Sequence, residues 1–294
     1  MTLALVALAM LAIPRLGASD VAEVAPLAAL TPKAITLGKL LANPLIPALL
    51  VSSLQQNLSA SYGRLRTDKP LFWSLPSVGG RAAEPVPVLP CAEGIAQFTL
   101  NHPGATRFGS SGVRLLPAEG RPDEMVVLFA SDGYAAFALT TGDAERALSA
   151  TAAARRAFVT RNGDPILKVN IGGEAFSAVA TSASVGTNRS DVAEKIDGLE
   201  ASVSLDAAGV TISADVLPKP GVAPESLCAD LEKTLGASLT AFGASEGVRP
   251  VCRFTPSAGK VRARISLSAT EMKKAGKAFN AAVVQALATE KKGK

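Results

Sequence analysis

The sequence predicts an α+β fold, a mostly antiparallel sheet with amphipathic helices on one face, and three observations support it. In the stretch Leu199 to Val216, apolar and polar residues alternate on both sides of Asp206-Ala207-Ala208-Gly209. Such alternation is typical of strands with one covered face, and Asp and Gly in the connection favour a hairpin. A second apolar pair of strands, Met125 to Thr140, surrounds Ser131-Asp132-Gly133. From Ser268 onwards, apolar residues recur at helical spacing.

The order strand, hairpin, helix occurs twice, with the hairpin turns about 75 residues apart. This order raises the hypothesis of two similar halves, residues 20–160 and 161–294. A chain of 294 residues has the length of one or two domains. Its hydrophobic fraction of 48% excludes wholesale disorder, and its aromatic fraction of 4% predicts a core of small aliphatic side chains.

The first half begins with a stretch rich in Ala, Pro and Val, Asp20 to Lys33, which we interpret as a linker. Asn43-Pro44 has the pattern of a helix start, and its apolar stripe continues to Gly63. The Gly- and Pro-rich residues Gly79 to Pro90 predict a loop or a proline-tolerant edge strand. Further predicted elements are an extended piece around Trp73, a helix Ala92–Leu100, a strand Val113–Leu116 and an Ala-rich helix Asp143–Phe158.

In the second half, Pro224 near a helix start and Gly236 as its stop delimit a helix with Leu227 and Leu231 on one face. Ser268 and Glu271 match the capping box, in which two side chains satisfy free amides at a helix start. The other predicted elements are strands Ile166–Val169, Ser238–Phe242, Val248–Phe254 and Val261–Leu267, and a short helix Ser190–Ile196.

Residues 1–19 have the features of a signal peptide: an uncharged apolar run of 13 residues, Met1 to Ile13, and small residues before Ser19. We therefore expect cleavage near Ala18 and a periplasmic or secreted protein. The alternatives are a buried N-terminal helix or a short membrane anchor. No other segment is long and apolar enough to span a bilayer, so we expect no transmembrane span in the mature chain.

The three cysteines, Cys91, Cys228 and Cys252, contain no C-x-x-C pair, and the chain has one histidine. A zinc site is therefore not expected, and neither is any cofactor. In an oxidising compartment Cys228 and Cys252 can pair as a disulfide. The alternative is three small buried thiols.

Positive charge is concentrated near the C-terminus. From Lys260 to the end there are nine Lys or Arg against two Asp or Glu, a net of +7 in a chain of net +5. Such a patch suits an anionic envelope polymer or lipid headgroup, and the alternative is a solvated helix face with a soluble tail. The segment lacks the interleaved aromatic residues that stack on single strands, so nucleic acid is not the expected partner. The candidate anion-binding residues are Arg262, Arg264, Lys273, Lys274 and Lys277.

One constellation of residues carries a catalytic alternative, a serine hydrolase built from His102, Ser110 or Ser111, and Asp132. The sequence around these serines is not the G-x-S-x-G elbow of that class. Paired carboxylates in an apolar setting, a P-loop and a dinucleotide-binding glycine motif are also missing from the sequence. We therefore expect no enzymatic activity and name no catalytic residue.

Three runs, TDKPLFW, ASDGYAAFAL and KVRARISLSATEMKKAGKAF, resemble segments of exported bacterial α+β proteins without assigned activity. The resemblance implies an envelope or secreted location and curved sheets with helices on one side. With the charge pattern, it leads to the hypothesis of an exported, non-enzymatic binding or structural module that contacts an anionic polymer or another envelope protein. The alternative is a carrier of lipid or another hydrophobic ligand.

Overall fold

One antiparallel sheet of twelve strands organises the computed structural model. The structure describes residues 20–43, 45–75, 77–78, 81–82, 85–117, 123–157, 165–172, 190–240 and 247–277. The strands of this sheet are β1 (Asp20–Val24), β2 (Leu71–Leu75), β5 (Val86–Pro90), β6 (Ala105–Phe108), β7 (Gly112–Leu115), β8 (Met125–Phe129), β9 (Tyr134–Ala138), β10 (Leu167–Gly172), β11 (Ile196–Asp206), β12 (Gly209–Pro218), β13 (Val251–Ser257) and β14 (Lys260–Ser268). Their order is β13-β14-β12-β11-β10-β1-β2-β5-β9-β8-β7-β6, and β3 (Ser77–Val78) pairs separately with β4 (Arg81–Ala82). The predicted α+β fold with a mostly antiparallel sheet is confirmed.

The helices are α1 (Leu27–Leu40), α2 (Leu45–Tyr62), α3 (Ile95–Asn101), α4 (Thr141–Ala157), α5 (Ser190–Ala193), α6 (Pro224–Leu231) and α7 (residues 269–277). Helices α1, α2, α3 and α7 pack on one sheet face, which we call the covered face, and α6 covers the same face near its β13 end. Helix α4 instead packs on the opposite face, over the strands of the first half. Helices on one face only are therefore not confirmed.

The hairpin of β11 and β12 has the predicted register and turn. Val203 lies opposite Ile212, and alternate residues of both strands belong to the covered face. In the turn, the Asp206 carboxylate accepts hydrogen bonds from the amides of Ala208 at 2.8 Å and Gly209 at 3.2 Å. Gly209 has φ 139°, a conformation that side chains disfavour. Asp and Gly thus close this turn for the reasons that the sequence indicated.

The interpretation of residues 20–33 as a linker is wrong. Strand β1 lies inside the sheet between β10 and β2, with Ala22 fully buried, and α1 follows it directly. A five-residue strand with the sequence Asp-Val-Ala-Glu-Val carries too weak a periodic signal to be recognised alone. Its place is set by pairing with strands about 50 and 150 residues later.

For residues 79–90, the strand alternative is confirmed at Val86–Pro90, but its predicted place at an edge of the sheet is wrong. Strand β5 is buried and paired on both sides, with β2 and with β9. Pro87 lies opposite Trp73 of β2, whereas the pairing with β9 covers only Val88 to Pro90.

The predicted stop at Gly236 and the strand from Ser238 are wrong in the described residues. A π-helical turn, Glu232–Gly236, continues α6, and residues 237–240 are helical. Threonine and serine hydroxyls donate to backbone carbonyls within this extension, Thr234 to Asp230 at 2.6 Å and Ser238 to Thr234 at 2.7 Å. The wider turn accommodates the glycine without ending the helix.

Strand β1 pairs with strands from both predicted halves, so these halves share one continuous sheet. Their similarity is not confirmed, and the boundary near residue 160 lies outside the described residues, as does the predicted signal peptide at residues 1–19. None of the helices in the described ranges is long and apolar enough to cross a membrane.

Candidate functional site

A groove of about 900 Å³ lies on the sheet face opposite the covered face, which we call the open face. Strands β1, β10, β11, β12, β14 and β13 form its floor. One wall is the alanine-rich side of α4, with Ala150, Ala153 and Ala154. Because α4 covers only the first half on this side, the polar residues of the second half remain accessible in the groove.

Two rows of side chains cross the floor at right angles to the strands. They follow directly from the period of two, since every second residue of each strand points to the open face. The first row runs from β13 to β1 through Arg253, Arg264, Ser213, Ser202, Lys168 and Glu23. The second row runs in the same direction through Thr255, Arg262, Asp215, Glu200, Asn170 and Val21.

Arg253 and Arg264 begin the first row and lie directly opposite each other on neighbouring strands; we call them the arginine pair. Both side chains are exposed, and neither forms an ion pair with a carboxylate of the described residues. The next residue in the row is Ser213, opposite Arg264 on its other side. The β13 end of the groove therefore presents two neighbouring guanidinium groups next to a hydroxyl group.

The other cations near the floor are paired. Asp215 forms ion pairs with Lys260 and with Arg262, whose Nε lies 3.8 Å from its carboxylate. Lys168 and Glu23 are 3.1 Å apart. Each of these cations thus has a carboxylate partner, although Lys260 and Arg262 share one, whereas the arginine pair has none among the described residues.

The structure separates the predicted anion-binding residues into two groups. Arg262 and Arg264 lie in the groove, whereas Lys273, Lys274 and Lys277 are exposed on α7. Helix α7 packs on the covered face, so its lysines lie on the other side of the sheet from the groove. The five residues do not form one patch.

Sequence reasoning did not name Arg253, Lys168 or Glu200 as site residues. A usable signal existed, because Arg253 occupies the same alternating position in its strand as Arg264 does in β14. The sequence does not show which cations form ion pairs, since partners such as Lys260 and Asp215 are 45 residues apart.

The histidine and the serines of the hydrolase alternative lie beyond opposite ends of β6. His102 follows α3 and stacks on Phe98, with ring centroids 4.1 Å apart. Ser110 and Ser111 lie beyond the other end of β6, a strand of four residues that spans roughly 10 Å. Asp132 lies 3.2 Å from the guanidinium of Arg155. This arrangement gives the hydrolase alternative no geometric support.

All three cysteines carry free thiols. Burial raises the pKa of Cys91 to about 12, and burial also raises the pKa values of Cys228 and Cys252. Cys228 and Cys252 belong to one apolar cluster between α6 and the sheet, and their pairing in an oxidising compartment stays one of the two alternatives. Within the described ranges, no three His, Cys, Asp or Glu side chains are grouped so that they could hold a metal ion.

Comparison with protein-family models gives no match, and comparison with curated proteins gives none either. Among solved structures, the chain is similar to crystal form I of TP0453, at 7% identity, 92% coverage of this chain, 96% of that chain and a TM-score of 0.44. Crystal form III of TP0453 gives 8% identity, coverages of 90% and 96%, and a TM-score of 0.46. At these TM-scores and identities, the similarity does not indicate a function for this chain.

Proposed function

We propose that this protein is an exported, non-catalytic binding module that holds an anionic group of an envelope component in the groove. The observation that carries the proposal is the arginine pair, two exposed cations directly opposite each other on β13 and β14, with no ion pair to a carboxylate of the described residues. The compartment we propose is the periplasm or the cell exterior, as the sequence of residues 1–19 predicts.

Electrostatics gives the arginine pair a binding role. Like charges directly opposite each other on neighbouring strands destabilise a sheet, so Arg253 and Arg264 repel in the free protein. An anion between them replaces this repulsion with two attractive contacts. A guanidinium group binds a carboxylate or phosphate through paired N–H donors, and the hydroxyl of Ser213 adds a further donor on the same side.

The floor of the groove argues against a lipid tail in this place. From the arginine pair toward α4, a ligand crosses Ser213, Ser202 and Glu200 before it reaches the alanine wall. An alkyl chain there would desolvate hydroxyl and carboxylate groups without giving them hydrogen bonds. The polar side chains of the floor therefore favour a polar ligand over an alkyl chain.

The test uses butyl phosphate as the probe and calorimetry at low and at physiological salt. The double variant Arg253→Gln, Arg264→Gln should lose about tenfold or more in affinity, because charge-assisted hydrogen bonds contribute about 1.5–3 kcal/mol each. Wild-type binding should weaken as salt rises, since the site is exposed and screened.

Two control variants separate this site from general basicity. Arg107→Gln removes an exposed arginine from β6, at the opposite edge of the sheet. The triple variant Lys273→Gln, Lys274→Gln, Lys277→Gln removes the α7 lysines. Both should bind butyl phosphate like the wild type. The proposal is wrong if the folded arginine double variant binds equally well, and equal loss in the triple variant would move the site to α7.

A further inference from the structure

We propose that the groove contains a second subsite, at Glu200, that binds a cationic group, so that its ligand is a zwitterion carrying an anionic group and an ammonium group. The inference rests on the proposed function for the anionic end of the ligand. It adds the chemical class of the ligand, which the arginine pair alone leaves open.

The second subsite is inferred from two carboxylates that lie opposite each other on the floor of the groove. Glu200 on β11 lies directly opposite Asp215 on β12. Asp215 is compensated by Lys260 and Arg262. Glu200 is exposed, forms no ion pair with a cation of the described residues, and faces the neutral Asn170 on its other side. Among the described residues, it is thus a carboxylate of the groove without an ion pair.

The two unbalanced sites are close enough for one small ligand. Glu200 and Arg264 are two strands and two residues apart, which places their Cα atoms roughly 12 Å from each other. Both side chains rise from the same face of the sheet. A flexible chain of a few methylene groups between an ammonium and a phosphate fits between their charged ends.

The charge pattern favours a zwitterion over a uniformly negative chain. A polyanion that lies along the groove from the arginine pair toward α4 meets the carboxylate of Glu200 after two strands. A ligand with one negative and one positive end relieves the repulsion within the arginine pair and compensates Glu200 as well. Complementary charges of this kind chiefly determine which ligand is selected.

The experiment compares butyl phosphate with a series of aminoalkyl phosphates whose amine and phosphate are separated by two to eight methylene groups. In the wild type, affinity should pass through a maximum along the series. At the best length, the amine should tighten binding about fivefold over butyl phosphate, the upper range for one solvent-screened ion pair.

The variant Glu200→Gln should abolish this preference for the amine and leave the binding of butyl phosphate intact or slightly tighter. Glu194→Gln, at an exposed carboxylate outside the groove, should keep the preference. If butyl phosphate binds through the arginine pair but no amine length improves affinity, the second subsite is refuted and the proposed function stands. If the arginine double variant binds butyl phosphate as tightly as the wild type does, the proposed function itself is refuted.

The same zwitterion can come from a soluble compound or from a lipid headgroup, and vesicles distinguish them. If the source is a headgroup, vesicles of phosphatidylethanolamine with phosphatidylglycerol should bind more tightly than vesicles of phosphatidylglycerol alone, and Glu200→Gln should remove the difference. A soluble source predicts no such difference, while the dependence of aminoalkyl phosphates on Glu200 remains. An amine preference that persists in Glu200→Gln contradicts the inference for either source.

Discussion

At the scale of single residues, alternation along β11 and β12 decides which side chains are buried and which line the groove. Val203 is 8% exposed on the covered face, whereas Ser202 and Ser204 point to the open face. We expect Val203→Asp to cost several kcal/mol of unfolding free energy, because it buries an unpaired carboxylate. Ser204→Asp, the same new residue one position along, should cost less than about 1 kcal/mol. Denaturant titration measures both, and equal losses would contradict the assignment of faces.

The same alternation limits what could be predicted about the site. It places Arg262 and Arg264 on one side of a strand, and the structure finds both in the groove. It does not reveal that Arg262 pairs with Asp215 while Arg264 has no carboxylate partner among the described residues, because this depends on which strand pairs with β14. Charge balance is a property of the assembled sheet, and for that reason the free carboxylate of Glu200 was also missed.

At the scale of elements, the start of α7 shows how a local motif acquires a non-local role. The amide of Glu271 donates to the Ser268 hydroxyl at 3.3 Å, as the capping box predicts. The Glu271 carboxylate, however, accepts a hydrogen bond from the backbone amide of Arg249 at 2.7 Å and one from Lys274 at 2.7 Å. It thereby ties the segment before β13 to the helix that follows β14.

These contacts give the stability of the protein a defined pH dependence. The hydrogen bond from Lys274, followed by that from the Arg249 amide, lowers the pKa of Glu271. A carboxyl whose pKa is lower in the folded state stabilises the protein above its unfolded pKa, and this contribution is lost as the pH falls through the folded pKa. Glu271→Gln should therefore reduce stability at pH 7 and have no effect well below pH 4.

Thermal unfolding of the wild type and the variant across pH 2.5 to 7 measures this dependence, and Glu194→Gln is the matched control. A wild-type advantage that stays constant down to the lowest pH would show that Glu271 acts through packing and not through its charge.

Prediction succeeded for elements with strong local signals and failed where distant pairing decides. Helix α2, both hairpins and α7 have caps, turns or a clear period, and the structure contains them. Strand β1 and strand β5 are short, and one carries prolines, so their local sequences favour linkers and loops. Each becomes a strand because two neighbours on the sheet satisfy its backbone hydrogen bonds.

At the scale of the whole molecule, β1 determines whether the two predicted halves are independent. It joins β10 of the second half to β2 of the first, and Ala22 in its middle lies opposite Val169 on one side and Trp73 on the other. A sequence pattern cannot show this connection, since it depends on the order of strands and not on any one strand. The continuous sheet implies that both halves unfold together.

Two probes can test this cooperativity. Trp73, the single tryptophan, reports on β2 through its fluorescence, and Cys228 reports on α6 through its labelling in a Cys91→Ala, Cys252→Ala background. Cys228 is buried in the apolar cluster between α6 and the sheet, so its labelling should require unfolding. The two unfolding curves should coincide in denaturant.

The variant Ala22→Asp should move both curves to lower denaturant by the same amount, because it buries a carboxylate at the strand that joins the halves and costs several kcal/mol. Ala207→Asp lies in the exposed turn between β11 and β12. It should change the unfolding free energy obtained from either curve by no more than about 0.5 kcal/mol. If Ala22→Asp shifts the Trp73 curve alone, the second half is a separate cooperative unit. In that case the strands of the second half are stable without β1, and β1 only extends the sheet that they form.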